Sequence, residues 1–382
     1  MKTIGILGST GSIGQQALDV IKMYPDKYKV DYLSCFSQSQ KIIEQAKEFH
    51  PKRICVIDKK QEPIIVDALK SENIQVLSGF EGLIEISKNK VDFMLNAIVG
   101  ADGMRPSIIA LENDITLGLA NKESMVMAGW LISDIQKKKD SKIIPIDSEH
   151  NAIFQCLVGE SEDNIKKIIL TGSGGPFRTR EINTFSSIKL EEALNHPNWE
   201  MGKKITIDSA TMMNKGLEYI EAYWLFGLST NKIDIIIHPQ SIIHSMVEFT
   251  DGSIKAQLGE PDMRGPIQYA LSYPSRIKNN INSFDFIKNN KFTFEAPDLN
   301  KFPCIKIAKD ALSSGYSHQV VLNIANDLVV DKFLNKKIRF NDIPKIIEKC
   351  ISCHNFIDYP NLDDIDSLSH WTKEYINKEA LV

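Results

Sequence analysis

The sequence has no long hydrophobic run, few cysteines and no basic excess. No apolar stretch reaches about 18 residues, the length that a membrane-spanning helix needs, so we expect no membrane span. Six cysteines are scattered through 382 residues, which is typical of a reduced cytoplasmic protein and not of a disulfide scaffold. The formal net charge of −4 argues against a nucleic-acid partner, because such proteins usually carry a basic excess. A strand-like run begins at Ile4, so we expect no signal or transit peptide.

What is present is an ordinary globular composition with an α/β rhythm. Hydrophobic residues make up 43% and charged residues 25% of the chain, which excludes a disordered or low-complexity protein, and the length predicts two or three domains. Residues 1–146 alternate strand-like and helical patterns, which indicates βαβ units and a Rossmann-like parallel sheet. The predicted strands are 3–7, 30–35, 53–57, 75–77, 93–97, 115–119 and 142–146, with helices such as 13–23 and 39–49 between them.

The rhythm changes after residue 146. Residues 147–272 are predicted as an α+β catalytic domain with a mixed sheet, because a Thr250-Asp251-Gly252 turn joins two strand patterns into a hairpin. Residues 273–298 are predicted as a connecting segment and 299–382 as a C-terminal helical bundle. The strands expected in this part are 165–170, 205–207, 233–237, 245–249 and 253–257, and the helices are 151–159, 213–226, 304–314, 318–334, 341–353 and 364–380.

A glycine loop follows the first strand, with glycines at positions 8, 11 and 14. Backbone N–H groups and a helix N-terminus can receive a pyrophosphate there, and Ser9, Thr10 and Ser12 add hydroxyl donors. The alternative is a tight turn between strand and helix without a ligand. Residues 34–41, at the end of the second strand, contain no carboxylate that would hold the ribose hydroxyls of NAD. NADP is therefore favoured over NAD.

Two carboxylates, Asp147 and Glu149, follow the last strand of this first domain. In an extended segment they project to the same side, where they can chelate Mg²⁺ or Mn²⁺. The alternative is a helix start capped by Asp147 or Ser148. In the later helix 213–226, the polar residues that share one face are Asn214, Lys215, Glu218 and Glu221. The rest of that helix is apolar, so the face should line a cleft rather than be solvated, with Glu218 as a third metal ligand and Lys215 near a phosphate.

Three further segments are candidates, each with a plainer alternative. Residues 171–177 form a Gly/Ser loop that can bind an anion or be a simple turn. Residues 196–202 fit a mobile cover in which Trp199 and Met201 exclude water and His196 donates to a substrate, although each residue type is more often used for packing. Lys122 follows a strand of the parallel sheet, so it should face the junction of cofactor and substrate, unless Asn121 simply caps a helix. We discount the Cys350-Ile-Ser-Cys353-His354 match to a haem-attachment pattern, because haem attachment normally needs export and we expect no export signal. A zinc site would need a second ligand pair, and none lies nearby in the sequence.

Taken together, these segments resemble the 1-deoxy-D-xylulose 5-phosphate reductoisomerase family. The similarity covers essentially the whole chain. It is carried by the glycine loop 7–14, Asn121-Lys122-Glu123, the run 147–155, Thr171–Phe177, His196–Gly202, Asp208–Glu221, His238–Met246 and the Leu258-Gly259-Glu260-Pro261-Asp262-Met263-Arg264 run. The resemblance implies a homodimer that uses NADPH and Mg²⁺ or Mn²⁺ to convert 1-deoxy-D-xylulose 5-phosphate to 2-C-methyl-D-erythritol 4-phosphate, in non-mevalonate isoprenoid synthesis.

The resemblance also implies roles for matched positions. The metal ligands would be Asp147, Glu149 and Glu218. The reacting end of the substrate would meet Lys122, Ser148 and Glu149. Its phosphate end would be held by Ser173, His196, Ser209, Asn214 and Lys215, with Trp199 and Met263 lining the pocket. NADPH would meet Gly8, Thr10, Gly11, Ser12, Ile13, Asn121, Glu123 and Gly202. Lys122, Glu149, His196 and Lys215 would form the catalytic group.

One departure from the family concerns the 2′-phosphate of NADPH. Many members have a Gly-basic-Asn type sequence after the second strand, whereas this chain has Phe36-Ser37-Gln38. Ser37, Gln38 and Lys41 are then the candidates for that contact. Two other functions stay open at this point. One is an NADP-dependent dehydrogenase of another phosphorylated carbonyl compound, whose activity would survive chelators, and the other is a non-catalytic NADP-sensing protein.

Overall fold

A computed structural model describes residues 1–139, 141–199 and 201–379, which divide into two compact units. The first unit comprises Met1–Ser124, Ile132–Asn151 and Asp262–Ile281. The second unit comprises Met125–Leu131, Ala152–Pro261 and the described residues from Asn282 onward. Glu200, inside the predicted cover, and Ala380, the last residue of the predicted helix 364–380, lie outside the described residues.

The first unit contains a seven-stranded sheet in which every neighbouring pair is parallel. Its order is β4-β3-β2-β1-β5-β6-β7, and all of its strands except edge strand β4 are mostly buried, as a sheet covered by helices on both faces requires. The strands are β1 Lys2–Leu7, β2 Tyr28–Cys35, β3 Arg53–Val56, β4 Gln75–Ser78, β5 Phe93–Asn96, β6 Thr116–Leu119 and β7 Ile143–Pro145. The helices that begin in this unit are α1 Ser12–Lys22, α2 Ser39–Phe49, α3 Glu62–Ala68, α4 Gly79–Ser87, α5 Met104–Glu112, α6 Lys122–Lys138, α7 Ser148–Leu157 and α11 Arg264–Ser272.

The second unit contains a mixed four-stranded sheet of order β11-β10-β8-β9. Strand β8 is parallel to β9 and antiparallel to β10, and β10 forms a hairpin with β11. The strands are β8 Ile165–Gly172, β9 Ile233–Ile237, β10 Ile243–Phe249 and β11 Ile254–Leu258. The helices are α8 Leu190–Ala193, α9 Lys203–Ala210, α10 Met213–Phe226, α12 Cys304–Ser314, α13 Tyr316–Leu334, α14 Asp342–Cys353 and α15 Leu362–Glu379. Across both units, short 3₁₀ turns occupy Lys59–Gln61, Ala101–Gly103, Glu162–Asn164, Ile182–Ser187 and Thr230–Lys232.

The predicted fold class is confirmed, since a parallel sheet, a mixed sheet and C-terminal helices are all present. The strand predicted at 205–207 is wrong, because these residues lie in α9. The β-branched Ile-Thr-Ile run indicates a strand locally, but Lys204 and Asp208, one helical turn apart, form an ion pair of 2.8 Å that stabilises the helix. Helix α11 was not predicted. None of the helices in the described part of the chain is long and apolar enough to cross a membrane.

Candidate active site

The glycine loop lies at the carboxyl end of β1, as predicted. Gly8 has φ of 81°, and a Cβ there would lie 2.6 Å from the carbonyl oxygen of Ala97, so only glycine fits. Helix α1 begins at Ser12 after Gly11, which has no side chain to cap it. The hydroxyl of Ser9 is buried and donates to Gln45 Oε1 at 2.7 Å. The expectation that Ser9 offers its hydroxyl to a ligand is therefore wrong.

The residues after β2 are exposed at the start of α2. Phe36 is 65% exposed, Ser37 and Gln38 are also exposed, and Lys41 is half-buried. Gln38 occupies the N-cap position of α2 without a side-chain capping bond, and the first turn of the helix holds no acidic residue. A phosphate placed here would meet no carboxylate from this turn.

Lys122 begins α6, and its ammonium group is buried against Asp147. The Nζ–Oδ2 distance is 2.5 Å, and the two side chains are 8% and 10% exposed. Asn121 caps the helix by accepting from the N–H of Ser124 at 3.0 Å, so the capping alternative describes the structure correctly. Capping does not remove Lys122 from the site, because the cap fixes the first turn on which Lys122 stands.

Asp147 and Glu149 do not lie in an extended segment, so that expectation is wrong. Strand β7 ends at Pro145 and α7 begins at Ser148. The chain turns into the helix there, because the N–H of Asn151 donates to the carbonyl of Asp147 at 2.8 Å. The carboxylates of Asp147 and Glu149 nevertheless approach each other, with ligand oxygens within 4.8 Å. A helix start therefore gathers the two carboxylates that an extended strand was expected to align.

The charge of Asp147 is set by two opposing effects. Burial by itself raises the pKa of this carboxyl, but the Lys122 ammonium and His150 outweigh burial and hold its pKa well below the usual value. Asp147 is therefore an anion at neutral pH, which is the state that a hard divalent cation binds. The neighbouring Glu149 carboxylate accepts from Ser148 Oγ at 2.6 Å.

Helix α10 carries a buried polar face, as predicted. Lys215, Glu218 and Glu221 are 4%, 1% and 0% exposed. Lys215 pairs with Glu218 and donates to the carbonyl of Thr171 at 2.5 Å, and Asn214 also donates to Glu218. The face is therefore not solvated. Thr171 was missed as a partner because a backbone carbonyl leaves no signal in the sequence.

The loop after β8 is a tight glycine turn. Gly174 and Gly175 both have positive φ, 83° and 70°, and a Cβ on Gly175 would lie 2.6 Å from the carbonyl oxygen of Ser209. Ser173 Oγ accepts from the N–H of Gly175 at 3.2 Å. The loop therefore packs closely against the end of α9, where Ser209 stands.

His196 makes three hydrogen bonds, two within the cover and one to Ser173 of this loop. Its Nδ1 accepts from the N–H groups of Asn198 at 3.2 Å and Trp199 at 3.0 Å. The proton must then reside on Nε2, which donates to Ser173 Oγ at 3.1 Å. Burial lowers the pKa of His196 to about 4, so the imidazole is neutral at pH 7.

The remaining predicted residues lie in separate places. In the second unit, the Trp199 ring lies 6.3 Å from that of His244. Asn198, which sequence reasoning missed, ties the cover to Pro239 O at 2.7 Å and Ser241 Oγ at 2.8 Å. Gly202 is the exposed N-cap of α9. Met263 lies in the first unit as the N-cap of α11.

Comparison with known proteins gives consistent matches along the chain. Residues 4–129 match the family model of 1-deoxy-D-xylulose 5-phosphate reductoisomerase, residues 143–226 match the model of the C-terminal domain of that enzyme, and residues 258–375 match a model described as DXP reductoisomerase C-terminal domain. Proteins named 1-deoxy-D-xylulose 5-phosphate reductoisomerase from Chloroherpeton thalassium and Thermoanaerobacter pseudethanolicus are each 48% identical. The alignments cover 100% of this chain and 98% and 100% of theirs.

Solved structures agree with these sequence matches. A crystal structure of DOX-P reductoisomerase in complex with NADPH, fosmidomycin and magnesium is 40% identical with a TM-score of 0.94, covering 99% of this chain and 98% of that one. The enzyme from Zymomonas mobilis in complex with NADPH is also 40% identical, with a TM-score of 0.92 and coverage of 98% and 97%.

Proposed function

The chain belongs to the 1-deoxy-D-xylulose 5-phosphate reductoisomerase family, and we propose that it converts 1-deoxy-D-xylulose 5-phosphate to 2-C-methyl-D-erythritol 4-phosphate with NADPH and a divalent metal ion. The observation that carries the proposal is the buried Lys122–Asp147 ion pair, with an Nζ–Oδ2 distance of 2.5 Å. This pair lies beside Glu149 at the carboxyl edge of a parallel sheet, and a glycine loop follows the first strand of that sheet. This edge is where α/β sheets bind their ligands.

NADPH is the proposed reductant, as in the related structures that contain it. The absence of a carboxylate at 34–41 supports a cofactor with a 2′-phosphate, because an acidic residue there would repel it. Ser37 and Gln38, with Lys41, are the proposed contacts of that phosphate. The other proposed contacts are Gly8, Thr10, Gly11, Ser12, Ile13, Asn121, Glu123 and Gly202.

Asp147, Glu149 and Glu218 are the proposed metal ligands. The donor chemistry fits Mg²⁺ or Mn²⁺, because Asp147 and Glu149 place carboxylate oxygens within 4.8 Å of each other and both ions prefer oxygen ligands. Magnesium is present in related structures. When bound, the ion would polarise the oxygens of the ketose as a Lewis acid.

The chain's own residues bind and orient the substrate. The proposed phosphate contacts are Ser173, His196, Ser209, Asn214 and Lys215. Because His196 donates to Ser173 Oγ, which also accepts from Gly175, the hydroxyl proton of Ser173 can be donated to a phosphate oxygen. Lys122, Ser148 and Glu149 would hold the reacting end, while Trp199 and Met263 would exclude water from it. Anchoring the remote phosphate fixes the reacting carbons, which is the main use of such binding energy.

Several coarser features belong to the same proposal. We assign residues 1–146 to NADPH binding, 147–272 to catalysis and dimerisation, 273–298 to a connection and 299–382 to a helical domain. A cytoplasmic homodimer is supported by six free thiols and by edge strand β11, on which Ile254 is 55% exposed. An edge strand with an unpaired backbone can pair with a second copy.

The test follows NADPH absorbance with 1-deoxy-D-xylulose 5-phosphate and Mg²⁺ or Mn²⁺, with and without EDTA. We expect oxidation that EDTA abolishes. Glu149→Gln and Glu218→Gln should remove turnover while leaving NADPH binding nearly intact, and the exposed Glu162→Gln serves as a control with normal activity. If no metal supports oxidation the proposal fails, and if activity survives EDTA the carboxylates are structural and another NADP-dependent dehydrogenase is indicated.

A further inference from the structure

A buried network of amides and hydroxyls surrounds the first turn of α6, where Lys122 stands. Its members Asn96, Ser107, Asn121 and Ser124 are at most 1% exposed. Asn96 Nδ2 donates to Ser107 Oγ at 2.8 Å, and the Ser107 and Ser124 hydroxyls are 3.0 Å apart. A buried polar network in which each member has partners fixes backbone geometry. This one joins the segment after β5 to the start of α6.

Asn121 is the central member of this network. Its Nδ2 donates to the carbonyl oxygens of Ile98 at 2.7 Å and Gly100 at 2.8 Å, and to Glu123 Oε2 at 3.1 Å. Its Oδ1 accepts from both the N–H and the hydroxyl of Ser124. A side-chain amide has two donor hydrogens and one acceptor oxygen. The protein itself therefore uses the hydrogen-bonding capacity of this side chain.

The segment that Asn121 holds reaches the glycine loop. The carbonyl oxygen of Ala97 lies 2.6 Å from the position of a Cβ on Gly8, and the nitrogen of Ile98 lies 3.1 Å from it, so the start of the 97–103 loop packs against the proposed pyrophosphate loop. On its other side, Asn121 precedes Lys122, which pairs with Asp147. One side chain thus connects the glycine loop, through residues 97–103, to the proposed catalytic lysine.

We infer that Asn121 is a positioning residue: its side chain fixes the 97–103 loop and Lys122 relative to the glycine loop and does not itself bind NADPH. The inference rests on the proposed function and deepens it. A direct cofactor ligand would chiefly set the affinity for NADPH. A positioning residue instead sets the rate of reaction of bound cofactor, because small misplacements of reacting groups are costly.

Two variants perturb Asn121 independently. Asn121→Asp keeps the acceptor oxygen but removes the donors to Ile98 and Gly100. Gly103→Ala leaves Asn121 in place but puts a Cβ 2.5 Å from its Cγ, so the amide must move. We expect both variants to lower kcat by about tenfold to a hundredfold, with KM for NADPH changed by less than about threefold. If Asn121→Asp fails to fold, Gly103→Ala carries the test.

Ser87→Ala is the matched control. Ser87 is fully buried in α4 and its hydroxyl donates to the carbonyl oxygen of Leu83 at 2.7 Å, but it lies outside the network around Asn121. We expect it to lower Tm with kcat nearly unchanged.

The possible outcomes separate cleanly. A raised KM for NADPH with unchanged kcat in Asn121→Asp would overturn the inference, because the side chain would then bind the cofactor directly. Normal kcat in Gly103→Ala, or a kcat loss in Ser87→Ala equal to that of Asn121→Asp, would also overturn it. If the wild-type protein does not oxidise NADPH with 1-deoxy-D-xylulose 5-phosphate, the proposed function is refuted instead. That result is measured on the wild type alone, so it is distinguishable from any effect of the variants.

Discussion

Substitutions of His196 can test the structure of the proposed phosphate site, because one ring nitrogen accepts hydrogen bonds and the other donates one. Nδ1 accepts two backbone N–H groups of the cover, and Nε2 donates to Ser173 Oγ at 3.1 Å. With its pKa lowered to about 4 by burial, the ring acts as a neutral hydrogen-bonding group above about pH 5. It therefore adds no positive charge to a phosphate site at pH 7.

Two substitutions separate the two nitrogens. In His196→Asn the amide oxygen can replace Nδ1 as the acceptor, whereas the donor to Ser173 is lost. In His196→Gln the amide nitrogen can replace Nε2 as the donor, whereas the N–H groups of Asn198 and Trp199 lose their acceptor. One hydrogen bond contributes about 0.5–1.5 kcal/mol net, so His196→Asn should lower kcat/KM for 1-deoxy-D-xylulose 5-phosphate by about twofold to tenfold. His196→Gln should lose more stability, about 1 kcal/mol, and less substrate affinity.

The assay is kcat/KM against pH for the wild type and His196→Asn, with an NMR titration of the ring protons. The two pH profiles should run parallel between pH 5 and 8, because the ring does not ionise there, and the ring should titrate near pH 4. A limb near pH 6.5 that is present in the wild type and absent from His196→Asn would refute the reasoning. The imidazolium, and not the neutral ring, would then be the group that binds phosphate.

Three further predictions follow from single positions. Gly175→Ala should raise KM for the phosphorylated substrate and lower the free energy of unfolding by at least about 1–2 kcal/mol, because φ is 70° and the added Cβ would lie 2.6 Å from Ser209 O. Kinetics and urea unfolding measure the two effects. Gly159→Ala is the control for backbone strain alone, because Gly159 has φ of 82° and nothing lies within 4 Å of an added Cβ. Burial lowers the pKa of His244 from 6.5 to about 4. The unfolded protein therefore binds a proton here more readily than the folded protein, and the free energy of unfolding should fall by up to about 3 kcal/mol as pH falls from 6.5 to 4. His244→Asn should reduce this pH dependence in urea unfolding. Gly216→Ala should lower stability by about 1–3 kcal/mol, measured by urea unfolding, because its Cβ would lie 2.6 Å from Ala308 Cβ, and unchanged stability would contradict the packing of α10 on α12.

The sequence predicted elements whose determinants are local. The glycine loop is an example, because a positive φ at Gly8 and a helix start at Ser12 depend on residues a few positions apart. Helix α10 is another, since its apolar face and its polar stripe both repeat with helical spacing. Its bounds, Met213–Phe226, are those predicted.

The failures depend on partners distant in sequence. At 205–207 the β-branched run favoured a strand, but Asp208 accepts from Asn326 at 2.9 Å and Lys204 pairs with Asp327 at 3.0 Å, contacts more than a hundred residues away. These tertiary contacts outweigh the local preference. At Asp147 the sequence correctly predicted two neighbouring carboxylates, but it did not predict the backbone conformation between them. Asp147 is held by Lys122 Nζ, which lies at the start of α6 and is distant in sequence.

The electrostatics of the site explain why a chain with a net charge of −4 can still accept phosphorylated ligands. The buried cations Lys122 and Lys215 each have a carboxylate partner within the same unit, Asp147 and Glu218. The loop after β8 presents the Ser173 hydroxyl, beside an uncharged His196. Where short-range hydrogen bonds and local ion pairs bind a phosphate, the overall charge of the protein does not have to be positive. The net charge of the chain therefore carries no information about a phosphate site.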